Sequence, residues 1–200
     1  MTALGDPRTA TSSDAGRLAD VLAAAFYDDP VFRWLIPSDR ARLARLRRFF
    51  AVEVRDVGLA RGQVWTTADH DGAAVCMPPG AWRLPPAVAV SHGSAYVAAF
   101  RLRLPLAAAL MARLEQRHLR APHYYFAAIG VEPALQGRGL GSALMQPTLD
   151  VCDRDGLPAY LEASSERSAT LYRRLGFEDR EEFHFAGSPP IWLMERAPRG

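Results

Sequence analysis

The pattern of apolar positions predicts a strand and a helix near the start of the chain. Leu18, Leu22 and Phe26 lie about one helical turn apart, behind Ser and Asp residues that can cap a helix. We therefore predict a helix over residues 14–26, preceded by a short strand over residues 7–11.

A second apolar stripe predicts a longer helix over residues 38–59, separated from the first by Asp28-Asp29-Pro30. Several arginines fall largely outside this stripe, and we interpret them as a solvated helix face because no aromatic residues or recognition motif accompany them. These arginines are Arg40, Arg42, Arg45, Arg47 and Arg48.

The middle of the chain is predicted to contain a hairpin, a loop and then helices. Two short apolar runs, Gln63–Thr67 and Ala73–Met77, flank a turn with an Asp-Gly pair, which is typical of a β-hairpin. Residues 78–90 are rich in proline and are predicted to be a loop. Residues 91–119 are predicted to be helical, with an interruption at Pro105.

From residue 121 onward, strands and helices alternate. Strands are predicted over His123–Val131, Ala159–Ala163, 179–186 and 191–196, and helices over Gly139–Asp155 and Ser168–Leu175. This order predicts an α/β fold of three layers, in which helices flank a mixed, partly parallel sheet of about seven strands. The length of the chain suits a single domain over residues 1–200.

Composition narrows the possible functions. The net charge is +2, all 24 basic residues are Arg, and mechanisms that need a lysine are excluded. The small net charge gives no reason to expect a nucleic-acid partner. Cys76 and Cys152 form no metal or redox spacing, so no metal is expected. No signal peptide or membrane span is predicted, and the protein is expected in the cytoplasm.

A glycine-rich segment between a strand and a helix is the strongest chemical signal in the sequence. Its consecutive N–H groups at a helix N-terminus form an anion site suited to phosphates. It has no P-loop lysine, and a serine stands where a dinucleotide motif has its third glycine. It satisfies the Q/RxxGxG/A pattern of acetyl-CoA-dependent transferases, and its residues are Gln136, Gly137, Arg138, Gly139, Leu140, Gly141 and Ser142.

Three motifs carry a resemblance to a known family: HYYFAAIGVEPALQGRGLGSALM, LPAYLEAS and LYRRLGF. They resemble the GNAT superfamily of acetyl-CoA-dependent N-acetyltransferases and, within it, the puromycin N-acetyltransferases. The resemblance implies acetyl-CoA as co-substrate and transfer of its acetyl group to a primary amine of a small molecule, such as an aminonucleoside antibiotic. It also implies a role in antibiotic resistance, an acceptor-side half over about residues 1–120 and an acetyl-CoA-binding core over about 121–200.

The resemblance also implies roles for individual residues. Tyr172 is expected to protonate the departing thiolate. Glu162, a carboxylate in an otherwise apolar strand, is expected to be the general base, with a structural role as the alternative. His184 and His123 are reserve bases. The strand residues Ile129, Gly130 and Val131 are expected to hold the pantetheine arm, and a backbone amide of this strand is expected to polarise the thioester carbonyl. The glycine-rich segment is expected to hold the pyrophosphate, and Ser168 belongs to the same cofactor-binding set.

Gly130 also carries information of its own, because a glycine inside a strand often marks a bulge or a close backbone approach. Nothing near Cys152 would activate its thiol, so direct attack by the amine is preferred over an acetyl-enzyme.

The predicted acceptor pocket combines acidic and aromatic residues, which suits a cationic amine with a flat ring. Its residues are Phe26, Tyr27, Asp28, Asp29, Trp34 and Trp65.

Two other functions remain open at this point: acetylation of proteins or peptides, and a non-catalytic module that senses acetyl-CoA. The sequence also leaves open whether the protein is a monomer or a homodimer, and whether the proline-rich loop acts as a lid.

Overall fold

A computed structural model describes residues 6–199, so residues 1–5 and 200 of the predicted domain lie outside the described part. Within that part the strands form one seven-stranded sheet in the order β1-β2-β3-β4-β5-β7-β6. β4 and β5 are parallel, and the other neighbours are antiparallel. The strands are β1 Arg8–Thr9, β2 Gln63–Thr66, β3 Gly72–Met77, β4 Tyr124–Val131, β5 Ala159–Ala163, β6 Glu178–Phe183 and β7 Ile191–Arg196.

Helices cover both faces of this sheet. They are α1 Ala15–Ala25, α2 Pro30–Leu35, α3 Asp39–Val52, α4 Leu59–Arg61, α5 Pro86–Ser91, α6 Gly93–Phe100, α7 Leu104–Arg117, α8 Leu140–Asp155 and α9 Glu166–Arg174. Short 3-10 segments occur at Ser12–Asp14, Arg101–Arg103 and Pro133–Leu135, and a π-helical turn, Glu53–Gly58, connects α3 to α4. The predicted α/β class, with a mixed sheet of seven strands, is confirmed.

The two larger hydrophobic cores of the described residues lie on opposite faces of the sheet. One packs α1, α3, α6 and α7 against the sheet through residues such as Leu22, Phe50 and Leu110. The other packs α8 and α9 against it through Leu144 and Phe177. Because side chains alternate along a strand, Tyr160 belongs to the first core while its neighbours Ala159 and Leu161 belong to the second.

Three local predictions need adjustment, each for an identifiable reason. Asp29-Pro30 ends the first helix, but it also starts α2, since the Asp29 side chain accepts hydrogen bonds from the Val31 and Phe32 amides. Part of the proline-rich loop forms α5. The predicted division into two helices is present as α6 and α7, but the break lies at Arg101–Arg103, and Pro105 lies in the first turn of α7, where proline is tolerated.

Arg42 is a further correction, because it is buried and does not belong to a solvated face. Its guanidinium donates to the carbonyl of Ile36 at 2.9 Å and pairs with the carboxylate of Asp39. The arginine therefore holds the α2–α3 connection against α3.

The described residues contain one helical stretch, Gly93–Arg117, that is long and apolar enough to cross a membrane. It consists of α6 and α7 and bends at Arg101, where φ is 51°. Phe100, Leu110 and Leu114 of this stretch belong to the first core. The expected absence of a membrane segment stays a prediction.

Candidate active site

The site begins where β4 and β5 part. They pair only from Tyr124–Phe126 to Ala159–Leu161, and beyond that point the two parallel strands diverge. On its other edge, β4 changes register against β3 between Val75 and Cys76 and carries one additional residue there, Ala127. Such a bulge bends a strand. The second half of β4 consequently presents one backbone edge that β5 does not occupy.

This divergence opens a cleft of about 1540 Å³. One side is lined by residues of β4, the start of α8 and the start of α9, and the other by residues of α1, α2, α3, α6 and α7. The cleft therefore joins the predicted acetyl-CoA core to the predicted acceptor half.

Gly130 allows another element to approach the backbone of β4 closely, and that element is helix α1. A Cβ on this residue would lie 2.8 Å from Leu22 Cδ2 and 2.9 Å from Ala25 Cβ, so α1 packs directly on the strand. The bulge itself is three positions earlier, at Ala127. Gly130 still lines the cleft together with Ile129 and Val131, as their predicted role requires.

At two positions of the glycine-rich segment the backbone conformation favours glycine. Gly137 and Gly139 have φ values of 78° and 88°, in the region that favours glycine. Gly139 caps α8, and the first bond inside that helix runs from the Ala143 amide to the Gly139 carbonyl at 3.0 Å. The amides of Leu140, Gly141 and Ser142 precede that bond and remain available to an anion.

The other residues of the segment contribute in different ways. Gln136 donates its side-chain amide to the Val131 carbonyl at 3.1 Å and so fastens the segment to the end of β4. Leu140 has its side chain in the second core and can offer only its backbone. Arg138 is exposed. A Cβ at Gly141 would make an ordinary contact of 3.5 Å with Leu171, so this glycine is not sterically required.

The start of α9 forms the facing wall. Ser165 caps this helix by accepting from the Ser168 amide at 3.2 Å, and the Ser168 hydroxyl donates to the Ser165 carbonyl at 2.8 Å. Both serines line the cleft. Ser168, which the sequence placed in the cofactor set, thus also has a structural role in shaping the wall.

Tyr172 lies on α9, lines the cleft and is buried. Burial raises the pKa of its phenol, and the nearby charge of Asp29 raises it further. The phenol therefore keeps its proton at neutral pH and has the form that a general acid needs.

Asp29 connects the two halves of the cleft. One carboxylate oxygen caps α2, and the other accepts from the hydroxyl of Ser164, which follows β5. Burial raises the pKa of this carboxyl to about 6, although the hydrogen bonds act in the opposite direction. Asp29 is thus positioned in the cleft near Tyr172, but it is largely engaged by protein groups.

Glu162 points from β5 toward the same face of the sheet as Tyr160. It lines the cleft, and its side chain is only 12% exposed. The Nδ1 atom of His118 lies 3.4 Å from its Oε1. Burial raises the pKa of Tyr125 well above its usual value, and the charge of Glu162 adds to the effect. The carboxylate is therefore surrounded by groups that can hold or share a proton.

The remaining candidates from the sequence lie outside the cleft lining. His184 is exposed and pairs with Glu182 at 3.1 Å, and His123 is buried behind His118. Cys76 and Cys152 are buried, and burial raises the pKa of each thiol to about 12, which disfavours a thiolate nucleophile. Among the described residues, no group of three His, Cys, Asp or Glu could hold a metal ion.

Of the six predicted acceptor residues, Phe26, Asp28 and Asp29 line the cleft, whereas the other three do not. Tyr27 donates to the Asp39 carbonyl at 3.3 Å. Trp34 packs against the first core. Trp65 donates to Thr148 at 3.0 Å on the α8 side of the sheet.

Sequence reasoning missed most of the acceptor-side wall. The aromatic residues of this wall are Phe32, Phe49, Phe50, Trp82, Tyr96, Phe100 and Tyr125. Among them lies Glu53, which accepts a hydrogen bond from Tyr96 at 3.1 Å. Burial raises the pKa of Glu53 to about 7. The available signal was an acidic residue three positions after Phe50, at the border of the apolar stripe.

Comparisons with known proteins agree with this geometry. A model of the acetyltransferase (GNAT) family matches residues 81–177. A crystal structure described as histone acetyltransferase HPA2 and related acetyltransferase, from Corynebacterium glutamicum, superposes with a TM-score of 0.72. It is 25% identical, and the alignment covers 98% of this chain and 97% of that one.

Two curated relatives point the same way. An N-acetyltransferase of Schizosaccharomyces pombe is 26% identical over 94% of this chain and 81% of its own length. The N-alpha-acetyltransferase RimI of Mycobacterium tuberculosis is 44% identical, over 36% of this chain and 48% of its own length.

The fold and the comparisons together define an acyltransferase in which a split parallel strand pair lies beside the N-terminus of α8. Residues 81–177 match the acetyltransferase (GNAT) family, whose members use acetyl-CoA as co-substrate, and the chain is an N-acetyltransferase. The predicted enzyme class is thereby confirmed. The resemblance to the puromycin N-acetyltransferases stays a prediction.

Proposed function

We propose that this enzyme transfers the acetyl group of acetyl-CoA by direct attack to a primary amine of a small molecule with an apolar or aromatic body. The observation that carries the proposal is that the free helix amides, the open edge of β4, Tyr172 and Glu162 all line one cleft. Their coexistence in one cleft also favours catalysis over a module that only senses acetyl-CoA.

The cofactor side would hold acetyl-CoA largely through backbone groups. The amides of residues 137–142 would bind the diphosphate at the positive end of α8. The open edge of β4 would bond the pantetheine amides and direct one N–H at the thioester oxygen, where charge develops during attack. Arg138, exposed beside the loop, would add a cation.

Two groups of the chain would move protons. Glu162 would take a proton from the acceptor, and Tyr172 would protonate the departing sulfur. The phenol of Tyr172 is protonated at neutral pH, as a general acid requires. Cys152 stays outside the scheme, since its thiol is buried and protonated.

The acceptor side supports a small amine with an apolar body. Phe26, Phe50 and Phe100 line the cleft, and the carboxyl groups of Asp29 and Glu53 lie among such aromatic residues. Aromatic faces and carboxylates together suit an ammonium group carried on a flat or apolar body. Puromycin has this character and belongs among the first acceptors to test. Antibiotic resistance, a cytoplasmic location and a monomeric or homodimeric state remain predictions.

A thiol-release assay with acetyl-CoA tests the proposal against a panel of small amines, puromycin included, and a panel of peptides with free N-termini or lysines. We expect turnover with at least one small aromatic or apolar amine and little with the peptides. Turnover confined to the peptides would replace the small-molecule acceptor with the protein or peptide alternative.

A further inference from the structure

Beside the cleft, three side chains form a chain of facing polar atoms. Glu162 Oε1 lies 3.4 Å from His118 Nδ1, and His118 Nε2 lies 2.9 Å from His123 Nε2. The other nitrogen of His123, Nδ1, lies 2.7 Å from the Ala121 carbonyl oxygen. His118 directly follows α7, His123 directly precedes β4, and Glu162 lies on β5.

The proton positions follow from these partners. A carbonyl oxygen only accepts, so His123 Nδ1 carries a hydrogen, and in neutral His123 the Nε2 atom has the lone pair. His118 Nε2 must then donate to it, which places the lone pair of neutral His118 on Nδ1, facing the Glu162 carboxylate. Two lone pairs thus face each other across a gap in which a single proton would bind to both.

The surroundings hold this arrangement in place. His118 stacks on Trp82 with ring centroids 3.7 Å apart and contacts Tyr160 edge-on at 4.4 Å. Both histidines are buried. Because burial lowers the pKa of His123, this histidine stays neutral and keeps its role as acceptor.

The other titratable and charged groups near the array come from four elements. Tyr125 of β4 and Tyr160 of β5 face Glu162, and burial together with this carboxylate raises the pKa of both phenols. Glu53 acts on Tyr125 from the π-helical turn, and Arg180 and Glu181 act on Tyr160 from β6. Both tyrosines therefore keep their protons at neutral pH, and neither takes the proton from the array.

We propose that His118 is the proton acceptor behind Glu162, with its tautomer fixed by His123, so that the three residues form a proton-accepting array for the acceptor ammonium. This rests on the proposed function of Glu162 as the base. His118 also lines the cleft, but it is a positioning residue in this scheme because it acts on the acceptor through Glu162.

The protons balance over one turnover. The acceptor ammonium gives one proton to Glu162, which shares it with His118 Nδ1. The neutral amine attacks the thioester carbon, the C–N bond forms and the C–S bond breaks. Tyr172 protonates the sulfur and regains a proton from the new amide nitrogen. The proton on the array leaves to solvent, and the products are the amide, coenzyme A and one proton.

This scheme makes the array necessary only for an acceptor that arrives as an ammonium ion. An amine that is already neutral needs no first deprotonation. A structural role of His118 would instead affect both kinds of acceptor equally.

Nitrogen-15 NMR of the histidine rings tests the proton positions without any acetyl transfer. We expect neutral His123 with its hydrogen on Nδ1 and neutral His118 with its hydrogen on Nε2. A His118 ring with its hydrogen on Nδ1 while Glu162 is ionised would overturn the proposal. This result is independent of acetyl transfer and would leave the proposed function intact.

Kinetics of His118→Gln test the role itself. Glutamine can keep a donor toward His123 but has no basic nitrogen for Glu162. With benzylamine, an ammonium at pH 7, we expect kcat/KM to fall by about tenfold to a hundredfold, since general bases contribute at least that much. With O-benzylhydroxylamine, which is neutral at pH 7, kcat/KM should fall by no more than about twofold.

The matched control is His184→Gln, which changes an exposed histidine outside the cleft and should leave both rates unchanged. Equal losses with the two acceptors in His118→Gln would contradict the proposal, as would no loss with either. Should the enzyme accept neither amine, the NMR result decides alone.

Discussion

The two sides of the cleft are built in different ways. The cofactor side is made mainly of backbone groups, set by positive φ angles at Gly137 and Gly139 and by the bulge at Ala127. The acceptor side is made of side chains from helices distant in sequence, including Phe50, Tyr96 and Phe100. A backbone site binds a group that all related substrates share, whereas a side-chain site selects among acceptors. The difference indicates which changes should abolish turnover and which should only alter acceptor choice.

The largest effect is expected from Tyr172→Phe, which breaks the chemistry at the point where the two sides meet. Loss of the acid should lower kcat by about a hundredfold or more, because general acids contribute about that much. Binding of acetyl-CoA should stay nearly unchanged, as measured by calorimetry. Unaltered turnover in a folded variant would remove Tyr172 from the mechanism.

The next effect is expected from Gly139→Asp, which breaks the cofactor side alone. A side chain at φ 88° costs about 1–2 kcal/mol, and the new negative charge faces the diphosphate at the helix N-terminus. The Kd of acetyl-CoA should rise by about tenfold to a hundredfold on that basis. Gly141→Ala is the control, because a Cβ fits there at 3.5 Å, and it should bind acetyl-CoA nearly as well as the wild type. Similar losses in both variants would argue against a specific role for the Gly139 conformation.

Glu53→Gln tests the acceptor side through the free energy of unfolding. Burial raises the pKa of Glu53 to about 7, so between its unfolded value of 4.5 and about pH 7 the folded state binds more protons than the unfolded state. Stability contributed by this group therefore falls as pH rises through that window. The variant should be more stable than the wild type by about 1–2 kcal/mol at pH 8, with no gain at pH 4.5.

Urea unfolding at the two pH values measures this difference. The exposed Glu178→Gln is the matched control and should show no such pH dependence. A loss of stability in Glu53→Gln at pH 8 would mean that the carboxylate is a net stabilising group.

The smallest kinetic effect is expected from Trp65→Phe, which tests whether Trp65 lies outside the acceptor site. Trp65 bonds Thr148 at 3.0 Å, outside the cleft lining. Its loss should reduce the free energy of unfolding by about 1 kcal/mol while KM for the acceptor stays within experimental error. A change in acceptor preference would instead place Trp65 at the acceptor site.

The two sides also differ in how far the sequence predicted them. The cofactor segment was accessible because Gly137 and Gly139 are local signals, and their backbone conformation needs no distant partner. Glu162 could be singled out as a carboxylate in an apolar strand. Its neighbour His118 could not, because its significance arises only when α7, β4 and β5 come together.

The same limit applies on the acceptor side. An apolar stripe indicates that Phe50 is buried. It does not indicate whether the side chain faces a core or a cleft. Trp65 and Trp34 were assigned to the acceptor pocket by residue type, and packing directed both elsewhere. Arg42 lies largely outside the stripe, yet carbonyl groups from the α2–α3 connection bury it.

The central claim is that helix amides around Gly139 bind the diphosphate of coenzyme A. Calorimetric titration of wild type and Gly139→Asp with coenzyme A and with pantetheine, which lacks the diphosphate, tests it most directly. The account predicts that the substitution strongly weakens the binding of coenzyme A and leaves the binding of pantetheine, which is weaker from the start, unchanged. An equal loss for both ligands, or undiminished affinity for coenzyme A, would contradict it.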